Sequence, residues 1–375
     1  MTPLWVTTQI QLTELAAKLN GARIVALDSE SDSIHHYHEK VCLLQLATEA
    51  GEVFLIDTLA LKGLEPLAPL MADERTEKVF HGADYDVATL RRDFKFVIRN
   101  LFDTMVASRF LAYAEVGLQA LLEKEFGHKI SKGPQTADWS LRPLTDNLVQ
   151  YAAMDVRHLV ELRERLVKQL KASKREHWVR EECAAIANMP AASAEREPAD
   201  FLKAKGARDL PPRNLAVLKE LFAIREALAR RFDRPRFKVI GDEALVLLAE
   251  KCPKDEKAIV RIPRCGYVRR FAPEVLEAIR RGESTEIPTF PITRRIQVSF
   301  DVRRRIERLK IWRSSAVERM KLEAGLLLPQ RLIDRLAKDA PATREALSAV
   351  EGLRQWRVEA MGDELLQALA VGAAV

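Results

Sequence analysis

An apolar segment that ends in two closely spaced carboxylates is the feature that most constrains the fold of this chain. The segment Ile24-Val25-Ala26-Leu27 runs directly into Asp28-Ser29-Glu30. Side chains alternate between the two faces of a β-strand, so Asp28 and Glu30 point the same way from the end of an apolar strand. Two such carboxylates repel each other and lose hydration unless a cation lies between them. A solvated strand end is the simpler interpretation, and further carboxylates downstream decide between the two.

The segments around this strand predict an α/β domain. Apolar stretches at 41–46 and 53–57 follow it and complete a three-stranded antiparallel start. Shorter strands are expected at 77–80 and 97–103, and strands that are separated by helices indicate a layered α/β architecture. Helical periodicity is expected over 9–20 (with Thr8 as its cap), 59–72, 86–92, 104–113, 118–126 and 144–171.

From residue 214 onward the sequence is helical and repeats itself. Segment 239–253 matches segment 327–341 at an offset of 88 residues, and flanking matches occur at offsets of 89 and 90. Two helical modules of roughly 75–80 residues each can hold small cores of their own. The predicted division is an α/β domain at 1–183, a linker at 184–212, a first helical module at 213–281, a second linker at 282–299 and a second helical module at 300–375.

Charge is divided unevenly along the chain. Residues 1–190 carry a net charge of −4, whereas residues 191–375 carry +10. This asymmetry is typical of a reaction centre that needs cations beside a surface that binds a polyanion, although a surface kept soluble by arginine produces it too. The four cysteines form no Cys-x-x-Cys pair, and we find no secretory signal or membrane-length apolar run. We therefore expect reduced thiols in a cytoplasmic protein.

Four carboxylates occupy positions that could converge. Asp28 and Glu30 end a strand, and Asp86 lies where the predicted strand 77–80 gives way to a helix. Asp155 lies on the predicted helix 144–171, with Tyr151 one turn earlier on the same face. If they converge, they form a hard-oxygen pocket suited to two Mg²⁺ or Mn²⁺ ions, which can activate water and neutralise a leaving oxygen during phosphodiester hydrolysis. Tyr151 would aim the attacking water through a hydrogen bond.

Three short motifs carry a resemblance to a known family. LDSE at 27–30, HGADYD at 81–86 and YAAMDV at 151–156 are similar, in order and spacing, to the three exonuclease motifs of the DEDD superfamily. Tyr151 indicates the tyrosine subclass, because the histidine subclass would carry histidine where this chain has Gln150. DWSLRPL at 138–144 and the two C-terminal repeats, which resemble HRDC-type modules, are similar to bacterial ribonuclease D. One departure is Ser29, where threonine is more familiar; we expect it on the opposite strand face, with little effect on the metals.

The resemblance implies a ribonuclease H-like α/β exonuclease domain with a mixed sheet, followed by two small all-α HRDC-type modules. It implies metal-dependent removal of 5′-mononucleotides from RNA 3′ ends, with trimming of tRNA precursors and other small structured RNAs as the usual role. No obligate protein partner is evident and a monomer is expected. Carried over position by position, the ligands of two divalent ions, Mg²⁺ or Mn²⁺, are Asp28, Glu30, Asp86 and Asp155, and the catalytic orienting residue is Tyr151.

Two other functions stay open from the sequence alone. A 3′–5′ exodeoxyribonuclease would use the same carboxylates, because these residues do not reveal a preference for the 2′-hydroxyl. A helicase fusion is excluded, since the chain contains no Gly-x-x-x-x-Gly-Lys-Ser/Thr phosphate loop. A non-catalytic nucleic-acid-binding scaffold would be expected to lack a motif carboxylate, and none is missing.

Candidate RNA contacts follow from residue type. A single-stranded end requires aromatic stacking partners, and the phosphates require lysine or arginine. The stacking candidates are Tyr37, Phe110 and Trp139. The phosphate candidates are Arg264, Arg269, Arg270, Arg303 and Arg304.

Other chemically capable residues have plainer interpretations. His35, His36 and His38 are expected to form a polar loop beside the substrate path in preference to a transition-metal site. His81 is expected to pack or hydrogen-bond at a strand end. The remaining expectations are a helix cap for Asp84 and for Asp103, no metal role for Asp57, a solvated helix position for His158, and core positions for Trp312 and Trp356.

Overall fold

This computed structural model describes residues 2–127, 136–192, 200–287 and 299–370. Parts of the predicted loop at 133–143, parts of both predicted linkers and the last five residues lie outside these ranges. Within them, no helix has the length and apolar character needed to cross a membrane.

A six-stranded mixed sheet forms the centre of the N-terminal half. Its strands are β1 (Leu4–Val6), β2 (Ile24–Ser31), β3 (Val41–Thr48), β4 (Val53–Ile56), β5 (Glu77–Phe80) and β6 (Leu101–Asp103). They lie in the order β1-β4-β3-β2-β5-β6. The β2–β3 and β3–β4 pairs are antiparallel, which confirms the predicted three-stranded start. The other three pairs are parallel.

Burial on both faces explains why these strands read as continuous apolar runs. Every residue of β4 is buried, as are the first seven residues of β3. Strands that are covered on both sides lose the alternation of polar and apolar residues. Strand β1 escaped prediction, because three residues are too few to show a period.

Eight α-helices surround this sheet. They are α1 (Gln9–Lys18), α2 (Ala68–Ala72), α3 (Asp84–Phe94), α4 (Thr104–Phe110), α5 (Leu118–Phe126), α6 (Asp146–Arg157), α7 (Leu159–Ala172) and α8 (Glu176–Ala187). Helix α1 begins with a capping box formed by Thr8 and Gln11, as the sequence predicts for Thr8.

Two helix predictions are wrong. The helix expected at 59–72 is only a short 3-10 helix, Glu65–Leu67, followed by α2, because Pro66 and Pro69 prevent a continuous helix. The helix expected at 144–171 is interrupted at His158, which joins α6 to α7 with φ −106° and ψ 2°. His158 is therefore a junction residue, and its ring lies 5.8 Å from that of Phe126.

The two C-terminal modules confirm the internal repeat, since each has five helices of matching relative length. The first module contains α9 (Pro212–Arg231), α10 (Arg236–Val239), α11 (Asp242–Lys251), α12 (Glu256–Arg261) and α13 (Ala272–Ser284). The second contains α14 (Phe300–Met320), α15 (Ala324–Leu327), α16 (Gln330–Asp339), α17 (Arg344–Ser348) and α18 (Gln355–Leu369).

The first predicted linker differs from the structure at both of its ends. Helix α8 runs to Ala187, past the predicted domain end at residue 183. Phe201, Ala207 and Leu210 are buried in the core of the first module. The segment described from residue 200 onward therefore packs as part of that module.

The second module shares a hydrophobic core with the sheet domain. The Trp356 ring stacks on Trp178 at a centroid distance of 4.8 Å and meets the edge of Phe110 at 5.3 Å. Trp356 Nε1 donates to Glu182, which also pairs with Arg357 at 2.7 Å. Trp356 is thus a core residue as predicted, and the core it completes spans two domains.

The first module keeps a separate core and meets the sheet domain at the loop that follows β2. Tyr37 packs against that core, and its hydroxyl donates to Glu226. His36 Nδ1 lies 2.7 Å from Asp233 Oδ2. The predicted polar loop is confirmed, and it forms part of the contact between the two domains.

Candidate active site

Three carboxylates from two elements meet at one edge of the sheet. Asp28 and Glu30 come from the end of β2, and Asp155 comes from α6, which packs across β2, β3 and β4. Each offers an oxygen, and these oxygens lie within 4.8 Å of one another. The period-two alternation on β2 and the crossing of α6 together bring them to one place.

Asp86 is the fourth carboxylate, and it comes from a third element. It lies in the first turn of α3 and is buried. It does not belong to the tight group of three, but its charge raises the pKa of both Asp28 and Glu30. The Ser29 hydroxyl donates to Asp86 Oδ1. Ser29, which we expected to have little effect on the metals, therefore contacts one of the four carboxylates directly, because α3 brings Asp86 against its hydroxyl.

Burial makes this cluster difficult to ionise. Loss of hydration, followed by repulsion from Asp155 and Asp86, raises the pKa of Glu30 to about 9. Loss of hydration raises the pKa of Asp86 and of Asp155 to about 7, against hydrogen bonds from Ser29 and Tyr151 respectively. The pKa of Asp28 is also well above its ordinary value, for the same two reasons as Glu30. Four oxygen-donor groups whose charges repel one another fit a divalent cation, which would offset that repulsion.

Tyr151 lies one helical turn before Asp155 and donates a hydrogen bond to it. Its ring centroid lies 6.2 Å from that of Trp139. The helix spacing that predicted a shared face for Tyr151 and Asp155 is thus confirmed.

A cavity of about 540 Å³ opens beside the carboxylates, a size that suits a nucleotide. Asp28, Tyr151 and Asp155 are among its lining residues. The rest of the lining, which sequence reasoning missed, carries no motif, because it comes from the segment between α4 and α5 and from the ends of those helices. Its residues are Met105, Glu115, Gly117, Leu118, Gln119 and Ala120, and His81 completes the wall.

The neighbouring acidic residues have structural tasks. Asp103 accepts hydrogen bonds from the backbone N–H groups of Gly82, Ala83, Met105 and Val106. The prediction that it caps a helix is confirmed, and it also ties the HGADYD segment to α4. Asp57 pairs with Arg142 at 2.7 Å, as expected for a carboxylate outside the metal site. The cap predicted for Asp84 is wrong, because α3 begins at Asp84 itself and its cap position is Ala83.

Two of the three proposed stacking residues are wrong. Phe110 is 0% exposed and Trp139 is 1% exposed, so neither presents a ring to a nucleic acid. Phe110 instead packs against the tryptophans of the domain interface. Tyr37 is half-buried, with Arg236 and Arg230 at 4.8 and 5.7 Å from its ring centroid.

The proposed phosphate contacts fall into two groups. Arg264 and Arg269 form ion pairs with Glu243 and Glu256. Arg270, whose guanidinium lies 5.8 Å from the Phe271 ring, and Arg304 of α14 form no ion pair with a carboxylate of the described residues. Arg303 is exposed on the same helix as Arg304.

Sequence reasoning missed two cations, Arg234 and Lys238, that lie beside the loop after β2. A cavity of about 400 Å³ is lined by His35, His36 and Asp138 on one side and by Phe232, Asp233, Arg234 and Lys238 on the other. Neither Arg234 nor Lys238 forms an ion pair within the described ranges, and Phe232 and Phe237 are 45% and 58% exposed. Free cations beside exposed rings are the usual surface for single-stranded nucleic acid.

Comparison with known proteins gives consistent family matches over the whole chain. A family model described as 3′–5′ exonuclease matches residues 3–171, and one described as HRDC domain matches residues 214–279 and 302–369. Ribonuclease D of Acidiphilium cryptum is 31% identical over 97% of this chain and 92% of its own.

Two solved structures are similar over most of their length. The structure of Escherichia coli RNase D has a TM-score of 0.74 at 24% identity, covering 98% of this chain and 99% of the other. At that identity the likeness shows the fold. The catalytic core of RRP6 from Trypanosoma brucei has a TM-score of 0.67 at 27% identity, covering 76% and 82%. This exonuclease fold implies dependence on divalent metal ions.

Proposed function

Because the chain belongs to the ribonuclease D family and is a 3′–5′ exoribonuclease, we propose that it uses two ions, Mg²⁺ or Mn²⁺, to trim the 3′ ends of tRNA precursors and other small structured RNAs. We assign Asp28, Glu30, Asp86 and Asp155 as the ligands. The observation that supports this assignment is the convergence of Asp28, Glu30 and Asp155, with Asp86 near enough for its charge to raise the pKa of Asp28 and Glu30. Mutual repulsion leaves these carboxylates poorly ionised without a cation.

The residues of the chain divide the work of hydrolysis between them. Asp28, Glu30, Asp86 and Asp155 would hold the ions, which when bound would supply a hydroxide near neutral pH and neutralise the charge on the departing oxygen. Tyr151 aims the attacking water at phosphorus from its place one turn before Asp155. A new P–O bond forms as the bond from phosphorus to the 3′ oxygen of the preceding nucleotide breaks, so the product is a 5′-mononucleotide. The cavity of about 540 Å³ receives that nucleotide.

The two helical modules hold the body of the RNA in this proposal. Their half of the chain carries the excess positive charge, which offsets repulsion between RNA and the acidic site. The first module offers Phe232, Arg234, Phe237 and Lys238 beside the loop after β2, so a 3′ tail would pass there on its way to the carboxylates. The second module packs on the sheet domain and adds the exposed arginines of α14.

A 5′-labelled RNA with a single-stranded 3′ tail tests the function directly. With Mg²⁺ or Mn²⁺ we expect a ladder of products shortened from the 3′ end, and no ladder with EDTA or with Asp155→Asn. Tyr151→Phe should slow the reaction by about 100-fold while metal binding, measured by calorimetry, stays near two ions per chain. A matched DNA strand reports the sugar preference. RNA that stays intact with both metals but shifts on a native gel would favour the binding-scaffold function.

A second assay addresses the substrate and the state of the enzyme. A tRNA precursor with a 3′ trailer should be shortened to the base of its acceptor stem, where the duplex blocks entry to the cavity. Sedimentation is expected to show a monomer. Equal trimming of the trailer and of the stem would contradict the proposed substrate class.

A further inference from the structure

His81 lines the same cavity as the carboxylates, and no step of hydrolysis above uses it. It follows directly after β5, and it lines the same cavity as Asp28, Tyr151 and Asp155. Its Nε2 atom is buried and has no hydrogen-bond partner among the described residues. An unpaired polar atom in the wall of a binding cavity is costly unless a ligand pairs with it.

The hydrogen bonds around His81 fix which nitrogen carries the proton. Nδ1 lies 2.9 Å from Thr104 Oγ1. The single hydroxyl hydrogen of Thr104 is donated to the Phe80 carbonyl at 3.0 Å, so Thr104 can only accept from the imidazole. Nδ1 is therefore the protonated nitrogen, and Nε2 presents a lone pair.

The ring stays neutral at the pH of the reaction. Burial lowers the pKa of His81 to about 4, against the opposing effect of Asp103. The Asp103 carboxylate is itself occupied by four backbone N–H groups, so it is not available as a partner for the ring. Nε2 therefore acts only as a hydrogen-bond acceptor, and its partner must be a hydrogen-bond donor.

A flexible side chain lies against Gly82, the residue that follows His81. The Met105 thioether lies over Gly82, where a β-carbon would come within 3.0 Å of its terminal methyl group, and Met105 lines the same cavity. An unbranched methionine can shift its side chain at low cost. The cavity wall next to His81 can therefore adjust to a bound nucleotide.

We propose that Nε2 of His81 accepts a hydrogen bond from a hydroxyl of the 3′-terminal ribose, which makes His81 a specificity-determining residue. This inference rests on the proposed function of the cavity. The carboxylates hold the scissile phosphate, so the adjoining wall faces the sugar of the terminal nucleotide. An exonuclease that removes any nucleotide needs a donor that all four share, and the ribose hydroxyls supply it whereas the base amines do not. If the 2′-hydroxyl is the donor, His81 reads RNA against DNA.

A pair of variants separates the two nitrogens of the ring. In His81→Asn the side-chain amide lies near the place of Nδ1 and can still donate to Thr104, but the acceptor at Nε2 is lost. In His81→Gln the longer side chain brings an amide oxygen near the place of Nε2. His177, which is exposed on α8, supplies the matched control His177→Asn. Thermal unfolding of each variant checks that it folds.

The assay is single-turnover removal of the last nucleotide from RNAs that differ only there. The last nucleotide is ribose, 2′-deoxyribose or 3′-deoxyribose in three arms. We expect wild type and His177→Asn to cleave the ribose end at least about 10-fold faster than one of the deoxy ends. His81→Asn should bring that ratio to within about 2-fold by slowing the ribose end alone, and His81→Gln should restore part of it. The arm that responds identifies the hydroxyl.

Several results would overturn the proposal. The proposal fails if wild type cleaves all three ends at the same rate. It also fails if His81→Asn slows cleavage of all three ends by the same factor, since a uniform loss indicates a structural role. If no RNA is hydrolysed with either metal, the proposed function fails separately. Calorimetry with AMP, 2′-deoxy-AMP and 3′-deoxy-AMP then tests the His81 proposal. If wild type binds the three nucleotides with equal affinity, or binds none of them, the proposed hydrogen bond between a ribose hydroxyl and His81 Nε2 is contradicted.

Discussion

The Ser29 hydroxyl donates a hydrogen bond to Oδ1 of Asp86, and this contact joins the strand of Asp28 and Glu30 to the helix that carries the fourth carboxylate. Asp86 reaches the site from α3, whereas Asp155 reaches it from α6. The hydroxyl favours the ionised form of Asp86 and fixes its orientation. Ser29, which lies between Asp28 and Glu30 in sequence, thus connects their strand to Asp86.

Removal of this hydroxyl should weaken metal binding. We expect Ser29→Ala to lower affinity for Mn²⁺ by about 10-fold, since groups that orient metal ligands typically contribute that much. Ser29→Thr keeps the hydroxyl and should remain within about 2-fold of wild type. Titration calorimetry at pH 7 measures both. Equal affinity in the alanine and threonine variants would show that the contact has no effect on the ligand.

The metal-free protein should lose stability as pH rises. The pKa values of Asp86 and Asp155 in the folded protein are about 7, and that of Glu30 is about 9, all above those of unfolded carboxyl groups. The folded state therefore holds more protons than the unfolded state between about pH 4 and pH 9, so the free energy of unfolding falls with rising pH across this window. The contribution is complete below about pH 4 and is lost as pH passes 7 and then 9.

Thermal unfolding in EDTA measures this effect. We expect Tm to fall by several degrees, roughly 4–8 °C, from pH 5 to pH 9. Saturating Mg²⁺ or Mn²⁺ should reduce the fall, because the ion binds the ionised carboxylates of the folded state. Asp28→Asn removes one repelling group and should flatten the metal-free curve. A Tm that rises over this range in EDTA would contradict the assignment of raised pKa values.

The contact between Trp356 and Trp178 should contribute strongly to stability. Trp356 is fully buried between the second module and the sheet domain. Trp356→Ala should lower the free energy of unfolding by about 3–5 kcal/mol, and the second module should then unfold at a lower urea concentration than the sheet domain. Trp312→Phe is the control, because it removes one hydrogen bond to Glu364 inside the module and should cost about 1 kcal/mol. Similar losses in both variants would contradict a shared core.

The unpaired cations of the first module should contribute to RNA affinity. We expect Arg234→Ala with Lys238→Ala to reduce affinity for a single-stranded tail and to lower the slope of log K against log salt by about 1.4, or about 0.7 for each phosphate contact. Arg264→Ala with Arg269→Ala removes the same charge from arginines that are already paired with glutamates, so a smaller change is expected. Fluorescence anisotropy over a range of salt concentrations distinguishes the pairs. Equal slopes in both double variants would place the RNA elsewhere.

Local pattern was enough to predict much of this protein. The period-two alternation placed Asp28 and Glu30 on one face of β2, and the four-residue spacing placed Tyr151 and Asp155 on one face of α6. The repeated helical segments predicted two modules of like form. Each of these properties depends on residues that are close in the chain, so the sequence contains it directly.

Tertiary structure decided which side chains are accessible and which are paired. Phe110 and Trp139 have the chemistry of stacking residues, but packing by distant elements buries them. Arg269 and Lys238 read alike in sequence, yet Glu256 pairs with the first and the second is left without an ion pair in the described ranges. Ser29 contacts Asp86 of α3, and His81 contacts Thr104 of α4. Both partners lie on other elements, so the roles that we propose for Ser29 and His81 could not be predicted from their neighbours in sequence. Burial and ion pairing depend on contacts between residues that are distant in sequence, so local sequence periodicity does not predict them.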